Sequence, residues 1–394
     1  MERLTTIKEK LQAEIDHVKE EIVGLANRIH ENPEVAFTEV KASKWLSDYL
    51  EEKGFKVARA VGGLETSFHA ELRKGKGPTV AFLSEYDALP KIGHACGHNL
   101  ICTASVGAAV GLARTDGWSG TIMVFGTPAE EGGGGKITML NHNVFKGVDA
   151  VLMFHPSDET VVHRGGLGRI ALKVEFLGRS AHASSRPELG LNALDAMISF
   201  FVSVGLLRQQ LRDDARVHGV ITNGGAAPNV IPDHTEAAFS VRSLSKAYNE
   251  ELLERVMNCA RGAATATGTE VRFKVNPLVY EPKLQNAVLG ELFFANLKTF
   301  AVGDIQVHKD PSAGGIGSSD IGNLSQIVPT IKPYLKISEA PTHSPEFATA
   351  AGSELGAERM IVAAKAIAMT AIDLLMTPDK VNDVWADFKK NQGK

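Results

Sequence analysis

Four apolar runs in this chain end in acidic or histidine side chains, and this pattern constrains the fold more than any other feature. The runs are PTVAFLSEYDALP, GTIMVFGTPAEEGGGG, DAVLMFHP and TIKPYLKISEAPTHS. Helix-like stretches such as 103–113 lie between them, and such alternation is typical of a largely parallel α/β sheet flanked by helices. Sites in these sheets form beyond the carboxyl ends of the strands. The sequence therefore predicts one site that gathers Glu, Asp and His side chains.

The segment 169–275 has a different order of elements. It reads strand, helix, strand, strand, helix, strand, which is a split βαβ unit that closes a four-stranded sheet of its own. A chain of 394 residues is also long for a single core. We therefore expect a catalytic α/β domain made of residues 1–168 and 276–394, with an inserted α+β, ferredoxin-like lid domain at residues 169–275.

Two helices are predicted near the start of the chain. Apolar residues recur at steps of three and four from Leu11 to Ile29, which predicts one amphipathic helix that ends before Pro33. A second helix is predicted from Val40 to Glu52, followed by Gly54.

Composition excludes several classes of function. The net charge is -4 and there is no Lys/Arg block, so neither nucleic acid nor a membrane surface is an expected partner. No apolar run reaches 18 residues, and the charged N-terminus has no signal-peptide core. The chain has three cysteines, Cys96, Cys102 and Cys259. This count is low and odd, which argues against a disulfide framework. We expect a cytoplasmic protein.

The segment HACGHN places Cys96 and His98 two residues apart, just after a predicted strand. Thiolate and imidazole are good ligands for zinc and similar divalent ions, but two ligands are too few for a site. Glu131, His155 and His343 also lie at strand ends and are the natural additions. Two metal ions bridged by one ligand would use all five groups.

Glu130 and Glu131 are adjacent, and neighbours in extended backbone point in opposite directions. We therefore expect one carboxylate to bind a metal and the other to face the attacking water as general base. A bound metal lowers the pKa of water from 15.7 to roughly 7, which suits this role. The glycine run 132–135 is not followed by GK[ST], which argues against a phosphate-binding loop.

Eight motifs, SEYDALP, GHACGHN, GTPAEEGGGG, FHP, GRSAHAS, PNVIPD, GSSDIGN and PTHSPEF, together cover most of the chain. They resemble the aminoacylase/carboxypeptidase-type metallopeptidases of family M20, in the branch of hippurate hydrolases and amino-acid-conjugate hydrolases. Within that branch the chain is most similar to aminobenzoyl-glutamate hydrolases and related dipeptidases. The resemblance implies a zinc-peptidase-like catalytic domain that hydrolyses the amide bond of N-acyl amino acids, aminobenzoyl-glutamate-like conjugates or short dipeptides.

The resemblance also implies a site for two divalent ions, with zinc favoured and manganese or cobalt as alternatives. Cys96 would bridge the ions. Glu131 and His343 would complete the ligands of one ion, and His98 and His155 those of the other.

Further roles follow from the resemblance. Glu130 falls on the general base, and Asp87 on a carboxylate that orients a metal ligand, since a metal-bound imidazole usually donates its other N–H to a carboxylate. Glu85 stands where many family members have a histidine ligand, and its role is left open between supporting a ligand and contacting substrate. Asn99 replaces the aspartate of many branch members.

The lid is expected to contribute to binding and to assembly. The resemblance implies that His182 stabilises the developing oxyanion, often in the partner subunit, and that Asn229 and Arg242 contact substrate. Ser318, in the glycine-rich loop 314–323, is a weaker candidate for substrate contact. Exposed edges of the lid sheet and the resemblance together predict a homodimer.

Two other functions stay open at this level. Cys96 could be the nucleophile of a cysteine amidase, with a nearby histidine as base. The same fold could also serve as a non-catalytic metal-binding or ligand-binding protein. The first leaves the glutamate pair unused, and the second has to explain why every ligand position and the base are present.

Overall fold

The computed structural model describes residues 2–309 and 316–392. These residues form two compact units, one of 2–165, 284–309 and 319–392, the other of 166–283 and 316–318. The second unit extends beyond the predicted lid limits of 169 and 275. The reason is that the chain after residue 275 folds back, and the backbones of Tyr280 and Arg169 exchange hydrogen bonds of 2.7 and 3.1 Å.

The helices and strands are numbered in chain order. The helices are α1 Glu2–His17, α2 Lys19–His30, α3 Val40–Glu52, α4 His98–Arg114, α5 Gly135–Asn141, α6 Ala193–Leu207, α7 Lys246–Thr267, α8 Ala287–Leu297, α9 Ile321–Ser325, α10 Pro345–Ala351, α11 Glu354–Met376 and α12 Pro378–Asn391. The strands are β1 Lys56–Arg59, β2 Phe68–Lys74, β3 Thr79–Glu85, β4 Gly120–Thr127, β5 Ala150–Leu152, β6 His155–Ser157, β7 Val161–His163, β8 Gly168–Leu177, β9 Arg216–Asn223, β10 His234–Ser243, β11 Glu270–Val275, β12 Gln306–His308, β13 Thr330–Ile331 and β14 Tyr334–Lys336.

The main sheet of the first unit has the order β1-β2-β4-β3-β5-β13. Its central strands β4, β3, β5 and β13 are parallel, and β1 and β2 are antiparallel additions at one edge. Helix α4 is buried along almost its whole length and packs beside α1, α2 and α11. Small residues permit this close approach, because a Cβ at Gly111 would lie 2.4 Å from Cγ1 of Ile15.

A second sheet in this unit was not predicted. It has the order β12-β7-β14-β6 and consists of three-residue strands. Two predicted strands prove to be split, because DAVLMFHP contributes both β5 and β6 while TIKPYLK contributes both β13 and β14. In each case the first half joins the main sheet and the second half joins the smaller one, so His155 begins a strand rather than ending one.

The lid unit follows the predicted order of elements. Its antiparallel sheet has the order β11-β8-β10-β9, and α6 and α7 pack against one face. Strand β8 alternates between buried and half-buried residues along its length, as expected for a sheet with one covered face.

The predicted helix 40–52 is confirmed, whereas the predicted helix through Leu11 and Ile29 is two helices. Val18 adopts φ -99° and ψ 7° between α1 and α2, which breaks the helix while keeping the apolar stripe on one side. Within the described residues, no single helix is long and apolar enough to cross a membrane. One bent pair of helices, α11 with α12, meets the criteria for a membrane span by length and composition only.

Candidate metal centre and active site

The predicted ligands meet at one edge of the first unit. The HACGHN segment follows β3 and runs into α4, whose first residue is His98. Glu131 follows the end of β4, and His155 begins β6. His343 precedes α10, and its backbone N–H donates to the carbonyl of Ala95 at 2.8 Å, which ties the two ligand segments together.

Two sets of ligand atoms each lie within 4.8 Å of one another. One set is Cys96, His98 and His155, and the other is Cys96, Glu131 and His343. Sγ of Cys96 lies 3.5 Å from Nε2 of His155, and Nε2 of His343 lies 3.5 Å from Oε2 of Glu131. Cys96 is the member common to both sets, which suits a ligand shared by two ions.

His98 presents one nitrogen to the protein and the other to the centre of the cluster. Its Nδ1 lies 2.8 Å from the carbonyl oxygen and 3.0 Å from Oδ1 of Asp87, so it donates there and Nε2 is the nitrogen left for a metal. Nε2 is buried, has no hydrogen-bond partner among the described residues, and faces carboxylate oxygens of Glu85, Glu130 and Glu131 at 3.8, 3.9 and 3.8 Å. A buried, unpartnered nitrogen surrounded by carboxylates fits a bound cation, and this donor set suits zinc, manganese or cobalt.

Burial sets the protonation of two ligands. It lowers the pKa of His155 well below its usual value, so the ring is neutral and able to ligate. Burial, reinforced by the charge of Glu131, raises the pKa of the Cys96 thiol. A thiol without a cation is therefore protonated, which argues against a cysteine nucleophile, because such nucleophiles need a lowered pKa.

Glu130 and Glu131 do not point in opposite directions, and that expectation is wrong. Strand β4 ends at Thr127, and Ala129 adopts the left-handed φ of 58°, so the extended alternation has stopped before the glutamates. Both carboxylates approach the same nitrogen of His98. Glu130, as the predicted base, thus lies beside the ligand cluster, and the backbone N–H of Glu131 donates to Oδ2 of Asp87 at 2.9 Å.

A buried lysine beside the cluster was missed by sequence reasoning. Nζ of Lys136 lies 2.6 Å from Oε1 of Glu85 and 2.7 Å from Oδ1 of Asp320, and all three side chains are fully buried. Glu85 is therefore an ion-paired group behind the ligands. Burial opposes charge on Lys136, but Asp320 and Glu85 outweigh it and raise the lysine's pKa. The only signal was a lysine directly after the glycine run.

The remaining histidine of the HACGHN segment is not among the ligand groups found in the described residues. His94 is buried and its ring stacks on that of His30, with centroids 6.2 Å apart. Burial and the nearby histidines lower its pKa to about 3, so the ring is neutral and acts as packing.

The predicted lid residues lie in the second unit. His182 is exposed, its backbone pairs with Val230, and the N–H of Ala183 donates to the carbonyl of Asn229 at 3.1 Å. Nη1 of Arg242 lies 3.5 Å from Oγ of Ser318. The backbone around His182 thus lies beside that around Asn229. The side chains of Arg242 and Ser318 lie close to each other. Residues 314 and 315 of the predicted loop 314–323 lie outside the described residues.

The chain is similar to known proteins over most of its length. Residues 164–266 match the family model described as the peptidase dimerisation domain of M20. The Xaa-Arg dipeptidase of Mus musculus is 36% identical over 98% of this chain and 93% of its own. The chain belongs to the M20 peptidase family.

Two further similarities agree with this assignment. One of the subunits of the p-aminobenzoyl-glutamate hydrolase of Escherichia coli K12 is 35% identical over 70% of this chain and 62% of its own. A dinuclear metal-binding M20 peptidase of Bacillus subtilis shares the fold, with a TM-score of 0.73 and 22% identity over 92% of this chain and 99% of its own. As an M20 peptidase, the protein is a metal-dependent hydrolase of amide and peptide bonds.

Proposed function

We propose that the protein hydrolyses the amide bond of a small substrate with a free carboxylate, either a short dipeptide or an N-acyl amino acid. The observation that carries this proposal is the meeting of Cys96, His98, Glu131, His155 and His343 around two overlapping ligand sets, with Glu130 beside them. The activities named for the mouse dipeptidase and the bacterial aminobenzoyl-glutamate hydrolase support this substrate class.

Individual residues of the chain have distinct roles in the reaction. Divalent cations, when bound, supply Lewis acidity that polarises the carbonyl and acidifies water. Glu130 accepts a proton from the attacking water and later passes it to the leaving amine. Asp87 holds the Nδ1–H of His98, so that Nε2 stays directed at the cluster. His182 donates to the developing oxyanion, and Arg242 and Asn229 bind the substrate carboxylate.

Glu130→Gln tests the role of the base. The variant keeps a similar shape and should retain the wild-type metal content while hydrolysis falls by at least a thousandfold. Metal content by elemental analysis and turnover on a panel of dipeptides, acetylated amino acids, hippurate and aminobenzoyl-glutamate give the two readouts. Turnover close to wild type would remove Glu130 from the mechanism.

We propose zinc as the native metal, with manganese and cobalt as alternatives, because thiolate and imidazole together favour zinc. Chelated protein should regain hydrolysis on reloading, and kcat/KM with each ion then ranks the metals. Restoration by calcium or magnesium alone would contradict a site that contains a thiolate and imidazoles.

We propose that two chains form a homodimer through the lid. One side of the edge strand β9 is unpaired in the lid sheet, and Ile198, Val202 and Leu206 lie one helical turn apart on α6 with 51%, 57% and 71% of their surface exposed. An exposed apolar row and an open sheet edge each favour association.

Val202→Glu tests this interface by light scattering. The wild type should have the mass of a dimer and the variant that of a monomer, because a charge in the middle of the apolar row opposes burial. Leu355→Glu, at an exposed apolar position of α11 in the first unit, is the matched control and should stay dimeric. A monomeric wild type would end the proposal.

Mixing inactive variants tests whether His182 acts across subunits. His182→Ala should lower kcat by roughly 100- to 1000-fold, the usual effect of removing an oxyanion donor. Mixed dimers of Glu130→Gln and His182→Ala contain one intact site if the histidine acts across subunits, so exchange of subunits should restore about a quarter of wild-type activity. No recovery would indicate that His182 acts within its own chain.

We also propose a cytoplasmic location, supported by three cysteines that are all unpaired. Fractionation of the source cells should recover the activity with cytosolic markers, and recovery with secreted proteins would contradict it.

A further inference from the structure

An exposed aromatic side chain lies at the edge of the ligand cluster, and neither the metal site nor the proposed reaction uses it. Phe37 is 47% exposed and Val35, two residues before it, is 40% exposed. Both lie in the segment between α2 and α3. Val35 pairs with Ala88, next to Asp87, so the segment runs along the loop that holds His98 in place.

The Phe37 ring packs against the loop that carries Glu130 and Glu131. A Cβ built on Gly133 would lie 2.5 Å from Cε2 of Phe37 and 2.6 Å from Cβ of Ala129. Only a glycine at 133 leaves room for the ring, and Ala129 is the residue directly before Glu130. The aromatic side chain thus packs against the loop that carries the proposed base, while about half of its surface stays exposed.

The position of the ring is held at an energetic cost. Residues 35–38 form a turn in which the N–H of Thr38 donates to the carbonyl of Val35 at 2.9 Å, and Phe37 has φ 65°. Glycine is the usual residue at that place, and a bulky residue there is strained. Strain of this kind persists where the surroundings fix the conformation, and it concentrates at ligand sites.

Buried Glu39 fixes this conformation. Its Oε1 accepts from the backbone N–H of Phe37 at 3.0 Å and of Ala129 at 2.9 Å, and its Oε2 accepts from Oγ1 of Thr66 at 2.9 Å. One carboxylate therefore joins the aromatic turn to the loop of the proposed base. The backbone of Phe37 is therefore tied to the loop that carries Glu130.

We propose that Val35 and Phe37 form an apolar wall that binds the acyl group of the substrate, and that this wall favours aromatic or bulky apolar acyl groups. The assignment rests on the proposed function and specifies its substrate class. An uncharged group is the better occupant than the carboxylate end, because the nearest charged side chains of the segment, Glu34 and Glu39, are acidic. Aromatic contacts of this kind change binding by about two- to tenfold.

Phe37→Gly tests the wall without adding backbone strain, because glycine accepts the positive φ. The measurement is the ratio of kcat/KM for the N-benzoyl and N-acetyl derivatives of one amino acid. We expect this ratio to fall about two- to tenfold in the variant, the size of an aromatic contact. Ile327→Ala is the control. Ile327 is 58% exposed and precedes β13, at the opposite end of the parallel strands, so the ratio should stay unchanged.

Direct binding gives a second readout. Calorimetry on metal-loaded Glu130→Gln, with and without Phe37→Gly, should show a similar loss of preference for the benzoyl compound. Equal losses for both substrates would mean that Phe37 only supports the glutamate loop, and this would overturn the wall. An unchanged ratio would overturn it as well. If the loaded wild type cleaves neither compound nor any member of the substrate panel, the proposed function fails and the wall with it.

Discussion

The orientation of the His98 ring is fixed by the protein itself. Asp87 fixes one ring nitrogen through its backbone and side-chain oxygens, and the other nitrogen faces three carboxylates from a fully buried position. Removing this orientation should weaken binding without removing a ligand, because the ring can then rotate or change tautomer.

Asp87→Asn is therefore expected to lower zinc affinity about 10- to 100-fold, the usual range for partners of a ligating histidine. An amide can accept from only one of the two donors, His98 Nδ1 and the Glu131 N–H, that the carboxylate now serves. Competition with a fluorescent chelator gives the affinity. Asp149→Asn is a suitable control, because Asp149 accepts from the N–H of Thr79 at the opposite end of β3. Equal affinities for both variants would contradict the role of Asp87.

Lys136 is the second residue whose environment makes a sharp prediction. Lys136→Met leaves Glu85 and Asp320 buried without their shared cation, which should lower the free energy of unfolding of the metal-free protein by about 3–5 kcal/mol. Denaturant titration measures this. Lys365→Met is the control, because Lys365 is also 2.7 Å from its partner, Asp16, which is 54% exposed. Such a surface pair is worth about 0–1 kcal/mol. Equal losses in the two variants would refute the argument from burial.

At the scale of elements, the residues at which the strands end determine which side chains reach the site. The sequence correctly predicted which strands carry Glu85, Asp87 and Glu131 to one edge, because their apolar runs are long and their polar ends abrupt. It could not predict that Glu130 and Glu131 face the same side, since this depends on the left-handed turn at Ala129. It also missed the smaller sheet, whose three-residue strands have no usable periodicity.

The turn into α4 gives an element-scale prediction. Gly97 has φ 74°, and a Cβ there would lie 2.4 Å from Cγ of Pro156, so Gly97→Ala is strained by both backbone and contact. We expect the free energy of unfolding to fall by about 2 kcal/mol or more and zinc binding to weaken, because the turn lies between Cys96 and His98.

Gly24→Ala provides the contrast for this experiment. Gly24 lies within α2, and a Cβ added there would have no atom within 4 Å, so alanine should raise the free energy of unfolding by about 0.5–1 kcal/mol. Thermal unfolding of both variants measures the two changes in stability. A Gly97→Ala protein as stable as the wild type would show that the turn does not require glycine.

At the scale of the whole molecule, two units are built by different rules. The first has a mixed sheet whose parallel strands end at the metal cluster, and the second has an antiparallel sheet with one covered face. The order of elements in the lid was predictable because its two central strands, β8 and β10, alternate over ten residues each. The buried charges Lys136, Asp320 and Glu39 were not, because partners that lie far apart in sequence give no local signal.

Stability should depend on pH through the half-buried His69. Burial lowers the pKa of His69 below its usual 6.5, so the unfolded chain takes up the proton at a higher pH than the folded protein. Its contribution to stability is full above the unfolded pKa and declines as the pH falls below that value. His69→Gln should reduce the slope of stability against pH between 7 and 5, measured on metal-free protein by denaturant titration. A slope that stays the same in His69→Gln contradicts this assignment.

The central claim is that distant parts of the chain form one site for a pair of divalent cations that supports amide hydrolysis. Zinc titration of chelated protein, followed by elemental analysis and turnover in the same samples, tests it most directly. The account predicts two zinc ions for each chain and hydrolysis that rises as the sites fill. Full turnover in rigorously metal-free protein, or a chain that retains no zinc, would contradict it.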